Sequence, residues 1–250
     1  VDEPVISVDN VSVVYKNTTS FSYRKLAQQL IGNRSQSQRA SPSFTALSGI
    51  TFDVAYGETV GVVGENGSGK STLLRAIAGI YTPDEGTIVL RCPTVSLLAL
   101  GIGFQSRLTG MENILLSGLA MGFSKKEIAE KTSEIIEFSE LEDFIDKPVK
   151  AYSSGMYSKL SFAINAILTT DVLLIDEVLS VGDMRFQVKS RDKLMELVAD
   201  KKRSVVIVSH SQDVLKQMCN RVLWISKGRQ VDFGLSGEVI SAYESFMMQD

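Results

Sequence analysis

The chain has 250 residues, 44% apolar and 22% charged, with a net charge of −3. Those proportions allow a sizeable globular core and exclude a disordered, fibrous or disulfide-scaffold protein, and the mild acidity gives no reason to expect nucleic acid as a partner. Two cysteines far apart, Cys92 and Cys219, fit a reducing cytosolic setting; the start shows no secretory leader, and the longest uncharged run, 92–106, is too short and too broken by Pro93, Gly101 and Gly103 to cross a bilayer.

In chain order, Ile6–Tyr15 is rich in Val and Ile in near alternation and reads as a strand. Residues 16–52 carry Lys16, Arg24, Lys25, Arg34 and Arg39 and no acid. Within them Tyr23, Leu26, Ala27, Leu30 and Ile31 recur at helical spacing, which predicts a short basic helix over about 22–32, ended by Gly32-Asn33. A loop over 32–43 follows. From Ala46 strands and helices alternate: strand Val60–Val63, helix Ser71–Ala78, strands Thr87–Leu90 and Val95–Leu100. Next comes a mostly helical stretch, Met111–Phe144, in which Ser124 and Glu127 form a capping box for helix Lys125–Phe138. Helix Met156–Leu168, strand Val172–Ile175, helix Met184–Ala199, strand Val205–Ser209 and helix Gln212–Cys219 continue the pattern. Two strands near Leu223–Phe233 and a helix Glu238–Met247 close it. Buried apolar strands separated by helices predict an α/β domain with a largely parallel sheet, into which the middle helical block is inserted.

Gly64-Glu65-Asn66-Gly67-Ser68-Gly69-Lys70-Ser71 matches the phosphate-loop pattern and lies between a strand and a helix, where that loop works. Its glycines let successive N–H groups curl towards phosphate oxygens, and the helix dipole adds to that field. Lys70 is expected on the β- and γ-phosphates, the Ser71 hydroxyl on Mg²⁺, and Thr72 beside them. The strand Val172–Ile175 ends in Asp176 and Glu177, the first expected to hold Mg²⁺ and the second to polarise an attacking water. His210, the one histidine, follows another apolar strand. Ligands in open α/β sheets sit beyond the carboxyl ends of strands, so Lys70, Asp176, Glu177 and His210 can converge on one γ-phosphate. A lone histidine at a strand end is ordinarily structural.

The order of these motifs, together with Tyr152-Ser153-Ser154-Gly155-Met156 and Ser180-Val181-Gly182-Asp183, resembles the ATPase subunit of ABC transporters over nearly the whole chain. The resemblance implies an ABC-type phosphate-loop NTPase fold: a central, mainly parallel sheet, an antiparallel β subdomain and an inserted helical subdomain at about 108–168, in one domain, 1–250. Tyr152–Met156 stands at the family's signature, with Ser153 and Gly155 matching, and the helix start there still offers donors to phosphate. Read alone, Ser153-Ser154-Gly155 is a helix N-cap. The family further implies ATP and Mg²⁺ as cofactors and a head-to-tail homodimer in which the signature closes over the partner copy's ATP. It also implies Asp183 at the dimer seam, Gln105 sensing Mg²⁺, and an aromatic residue on adenine, for which Tyr15 is the candidate and Tyr23 competes.

The finer resemblance is to exporters of teichoic acid and O-antigen. It rests on Asp176–Asp183, Tyr152–Met156 and Leu108-Thr109-Gly110-Met111-Glu112-Asn113-Ile114, and Asp143–Lys150 is most like the teichoic-acid ATPase. It implies an ATPase at the cytoplasmic face of the cell membrane, working through a separate integral membrane subunit on a lipid-linked polymer. The basic helix over about 22–32 would lie near that membrane. The sugar-binding domain that some O-antigen exporters add after the ATPase is not expected here, since the sequence stops soon after Tyr243. A soluble ABC ATPase acting on nucleic acid and a phosphate-loop kinase are the rival readings; long coiled-coil arms or a second ATPase domain would mark the first.

Overall fold

The computed structural model describes residues 3–16, 43–98, 104–176, 182–209 and 211–248. The predicted basic helix with Tyr23, Glu177 and His210 lie outside the described residues. The strands are β1 (Ile6–Lys16), β2 (Ser43–Val54), β3 (Thr59–Val63), β4 (Glu85–Leu90), β5 (Val95–Leu98), β6 (Val172–Asp176), β7 (Ser204–Val208), β8 (Arg221–Ser226) and β9 (Arg229–Leu235). The helices are α1 (Lys70–Ile77), α2 (Gly110–Ala120), α3 (Lys125–Ser139), α4 (Ser154–Ile167), α5 (Met184–Ala199), α6 (Gln212–Met218) and α7 (Ser236–Met247).

Among the described residues the strands form one nine-stranded sheet, ordered β4-β1-β2-β9-β8-β3-β7-β6-β5. Its central part, β8-β3-β7-β6-β5, is parallel, as expected. β1 pairs antiparallel with both β2 and β4, which makes the expected antiparallel β subdomain one edge of the same sheet. The central strands are apolar throughout because both faces are covered. Val172, Leu174, Val206 and Val208 pack on one side with Leu73 and Ile77 of α1. Leu173, Ile175, Val205 and Ile207 pack on the other with Phe162 of α4 and Phe186 and Leu194 of α5.

β2 is the element the sequence reading does not contain. It begins inside the expected basic stretch, and its pairing with β1 is broken by three register shifts. Ala46 and Leu47 are consecutively buried before alternation resumes at Ile50, Phe52 and Val54, so the period-two signal changes phase midway.

Helices α2 to α4 lie between β5 and β6 in the chain and have a core of their own, with Ile114, Ile128, Ile135, Leu160 and Ile164 at its centre. Helix α4 is apolar on two sides because it serves both cores, giving Phe162 and Ala166 to the sheet and Leu160, Ala163 and Ile167 to the helical block. The capping box of α3 forms as predicted, with Ser124 Oγ accepting from Glu127 N at 3.3 Å and Glu127 Oε2 accepting from Ser124 N at 2.8 Å. Thr109 and Glu112 cap α2 in the same way.

Candidate nucleotide site

The phosphate loop joins β3 to α1. Gly69, at the helix start, has φ +108, and a Cβ there would lie 2.6 Å from the Ala46 carbonyl oxygen. A Cβ on Gly64 would run into the Ile225 carbonyl. Both positions therefore demand glycine, and they let the loop wrap closely over β2 and β8. The helix begins at Lys70, one residue before the expected start.

No side chain caps α1, whereas Thr109, Ser124, Ser153, Asp183 and Ser211 cap the helices α2 to α6. Its first-turn N–H groups are thus left facing the cleft, which suits an anion. Ser68 is 3% exposed, and its hydroxyl has no hydrogen-bond partner among the described residues. The Lys70 side chain is buried over the loop, its Nζ donating to the carbonyls of Gly64 at 2.7 Å and Glu65 at 2.8 Å. An ammonium and a ring of amides at one helix end fit a polyphosphate.

Asp176 ends β6, two strands from β3 across β7, and Ser71 Oγ donates to its Oδ1 at 3.1 Å. A hydroxyl and a carboxylate side by side form a hard oxygen pair of the kind Mg²⁺ takes. Ser209 follows β7 at the same edge of the sheet, its Oγ accepting from Ser211 N at 3.1 Å.

Above the loop, Tyr15, Phe44, Ala46, Asn66, Gly67 and Thr72 line a cleft with Gly69, Lys70 and Ser71. Tyr15 OH lies 3.2 Å from Thr72 Oγ1, and its ring meets Tyr81 edge-on at 5.7 Å. Phe44 pairs directly with Tyr15 across β1 and β2 and is 62% exposed, a second aromatic face that the sequence reading passes over. Alternation does not find it, since Ser43, Phe44 and Thr45 are all exposed; the pairing opposite Tyr15 does.

Other expected site residues stand apart from this cleft. Ser153 caps α4, accepting from Met156 N at 3.2 Å, and the helix begins at Ser154 rather than at Met156, so Ser154 and Gly155 form its first turn. None of the three lines the phosphate-loop cleft. Nor does Gln105 line it. Gln105 is exposed, and its backbone is clasped by the fully buried Asn113, whose Oδ1 accepts from Gln105 N at 2.8 Å and whose Nδ2 donates to Gln105 O at 3.1 Å. The adjoining Phe104 ring contacts Tyr157 of α4 at 5.0 Å. Asp183 caps α5, accepting from Phe186 N at 3.0 Å, and pairs with Lys159 of α4 at 2.8 Å. The Lys159 ammonium and the Phe186 amide hold its carboxyl down at about 2.

A glycine-wrapped, uncapped helix after a central parallel strand, with a carboxylate at the end of a nearby parallel strand, defines a phosphate-loop NTPase domain. The ABC transporter family profile matches residues 47–180, just over half of the sequence, and the chain belongs to that family. It is 46% identical over 204 residues to the teichoic acids export ATP-binding protein TagH of Shouchella clausii, covering 82% of this chain and 56% of that protein. It is 41% identical over 245 residues to the O-antigen export system ATP-binding protein RfbB of Myxococcus xanthus, covering 96% of this chain and 55% of that one. The chain thus spans about half the length of the curated relatives it matches. A solved ATP-binding subunit of an ABC transporter has the same fold, with TM-score 0.72 at 20% identity over 96% of this chain and 93% of that one. Among the described residues no helix is long and apolar enough to cross a membrane.

Proposed function

We propose that this chain is the ATP-hydrolysing subunit of an exporter of a lipid-linked cell-wall polymer, most closely teichoic acid, acting through a separate membrane subunit. The observation that carries the nucleotide reading is the uncapped start of α1 beside the Ser71–Asp176 bond. Identity of 46% to a teichoic acids export ATP-binding protein supports the cargo, and 41% identity to an O-antigen export protein makes O-antigen the second reading.

In this reading Lys70 and the N–H groups from Gly67 to Thr72 hold the phosphates, and Tyr15, with Phe44 beside it, stacks on adenine. Ser71 and Asp176 would hold Mg²⁺, which when bound would draw charge from the phosphate oxygens; Gln105, the third candidate, does not line the cleft. Glu177 takes the proton of the attacking water and His210 steadies the γ-phosphate. Ser153, Ser154 and Gly155 serve the nucleotide of a second copy in a head-to-tail homodimer, a role that fits their absence from the lining of their own chain's cleft. Residues 1–250 act as one ATPase domain, with 108–168 as the helical insertion and 22–32 as a basic helix at the membrane.

The surface proposed for the membrane subunit is the cleft lined by Ile80, Phe104, Leu116, Ala120 and Met121. Met111, Leu115 and Leu119 extend it as an exposed apolar stripe along α2. The protein would sit peripherally on the cytoplasmic face.

Two experiments test this. Glu177→Gln should bind ATP, stay dimeric with it and lose steady-state hydrolysis; an unchanged rate removes Glu177 from the chemistry. Purification of the tagged chain from gently solubilised native membranes should bring down an integral membrane protein in stoichiometric amount with a bound glycolipid. Recovery only from the soluble fraction, with ATPase activity raised by nucleic acid, would instead support a non-transport ATPase.

A further inference from the structure

Away from the phosphate-loop cleft, four charged side chains of alternating sign form a row. Lys159 Nζ lies 2.8 Å from Asp183 Oδ2 and 2.9 Å from Glu140 Oε2. The other Glu140 oxygen is 3.4 Å from Lys189 Nζ, which also donates to the Phe138 carbonyl at 2.9 Å. The row joins three elements: Lys159 is on the second turn of α4, just past the Ser153 cap; Asp183 and Lys189 belong to the start of α5; Glu140 closes α3.

Lys159 is closely fitted. Its side chain is 14% exposed, its ammonium lies 5.0 Å from the Phe186 ring centre, and a Cβ on Gly182 would come within 3.2 Å of its Cε. Burial by itself lowers the Lys159 ammonium, but the bonds from Asp183 and Glu140 outweigh it and hold it above its usual value. Lys159 likewise leads the causes that hold Glu140 and Asp183 below the usual carboxylate range. All three therefore stay charged at neutral pH.

Glu140 keeps its place against a backbone preference. It sits at φ 58 and ψ 39, the left-handed position at a helix end that usually falls to Gly or Asn. Exposed ion pairs by themselves stabilise little. What this row adds is geometry, since α4 cannot slide along α5 without parting Lys159 from one of its two carboxylates.

We infer that Glu140 and Lys159 are positioning residues that bind the Ser153–Gly155 turn and the Asp183 cap into one mechanical unit. The inference rests on the proposed function, in which the turn faces the partner copy's nucleotide. Lys159 thereby keeps the turn and the cap in one register.

The test uses the full chain with Lys159→Met, Lys159→Arg, Glu140→Gln and Glu140→Gly. Lys159→Met and Glu140→Gln should lower kcat at least tenfold with ATP affinity and KM within twofold of wild type, and Lys159→Arg should restore most of the rate. Glu140→Gly relieves the left-handed backbone, so its Tm should not fall although its kcat does, which separates positioning from folding. In amide exchange, ATP should slow both 153–156 and 183–186 in the wild type and only one of them in Lys159→Met. A wild-type rate in Glu140→Gly, or kcat losses confined to variants with a lowered Tm, overturns the inference alone. A wild-type chain that does not bind ATP overturns the proposed function and this inference with it.

Discussion

The Ser71 hydroxyl donates to Asp176 Oδ1 across 3.1 Å, joining residues 105 positions apart. The sheet makes this contact: β3 and β6 flank β7, all three run parallel, and their carboxyl ends open on one edge. Asp176 pairs with Val208 at that edge, and the first turn of α1 carries Ser71 over it. A helix start and a strand end become neighbours without any loop reaching between them.

That contact predicts a specific metal dependence. Ser71→Ala should weaken ATP binding about tenfold in Mg²⁺, as expected for a polar contact to a charged group worth about 1.5 kcal/mol. Binding in EDTA should be unchanged. Titrations with and without Mg²⁺ check this, and an equal loss under both conditions would assign the hydroxyl to the phosphates instead.

Tyr15 and Phe44, opposite each other across β1 and β2 and both lining the cleft, predict how the base is held. Tyr15→Ala should raise the Kd for ATP about tenfold, since stacking of a base on an aromatic ring contributes roughly 1–3 kcal/mol. Tyr15→Phe should preserve the affinity. Phe44→Ala should cost less than Tyr15→Ala if it only walls the cleft, and as much if the base lies between both rings. The one tryptophan, Trp224, pairs with Val63 immediately before the loop, so its fluorescence can report the titration.

Gly69→Ala tests the loop's backbone. At φ +108, with the Ala46 carbonyl 2.6 Å from the new Cβ, the substitution should cost about 2 kcal/mol and lower Tm by roughly 4–8 °C. ATP binding should fall below detection, because the loop must lift from β2. Gly67→Ala, where nothing stands within 4 Å of the new Cβ but φ is +76, should be the milder change. Melting curves of the two variants side by side decide whether close approach or dihedral strain dominates.

The Asp183–Lys159 pair predicts an acid dependence of stability. The Asp183 carboxyl is lowered from 3.8 in the unfolded reference to about 2. A depressed folded value means that its contribution is present in full above the unfolded value and is lost as pH falls through the folded one. Wild type should therefore be more stable than Asp183→Asn by a constant margin from neutral pH down to about pH 4, and the margin should close towards pH 2. Urea unfolding of both proteins at pH 7, 4 and 2.5 measures it. A margin that persists at the lowest pH would assign the effect to capping geometry rather than to charge.

Local signals in the sequence were reliable because the interactions behind them are local. The capping box Ser124–Glu127, the glycine loop before Lys70 and the exact span of α5 each depend on residues within a turn or two of one another. A chain segment that owes its form to a distant partner carries no such local signal. β2 changes phase at Ala46–Leu47 because bulges against β1 shift its pairing, and no residue inside 43–54 announces that shift. The start of α4 moved to Ser154 because the Ser153 hydroxyl caps the Met156 amide, a choice open to either serine from sequence.

By itself, then, the sequence determined the phosphate loop, the strand ending in Asp176 and the alternation of buried strands with helices. Each is a pattern of residue type against a fixed backbone period, and the period is a property of the chain alone. Only the tertiary structure decided that Phe44 stands opposite Tyr15, that Ser153–Gly155 lie outside their own chain's cleft, and that Glu140, Lys159 and Asp183 meet. Those are contacts between elements, set by strand register and helix packing. Periodicity tells which face of an element is buried and leaves open which other element covers it.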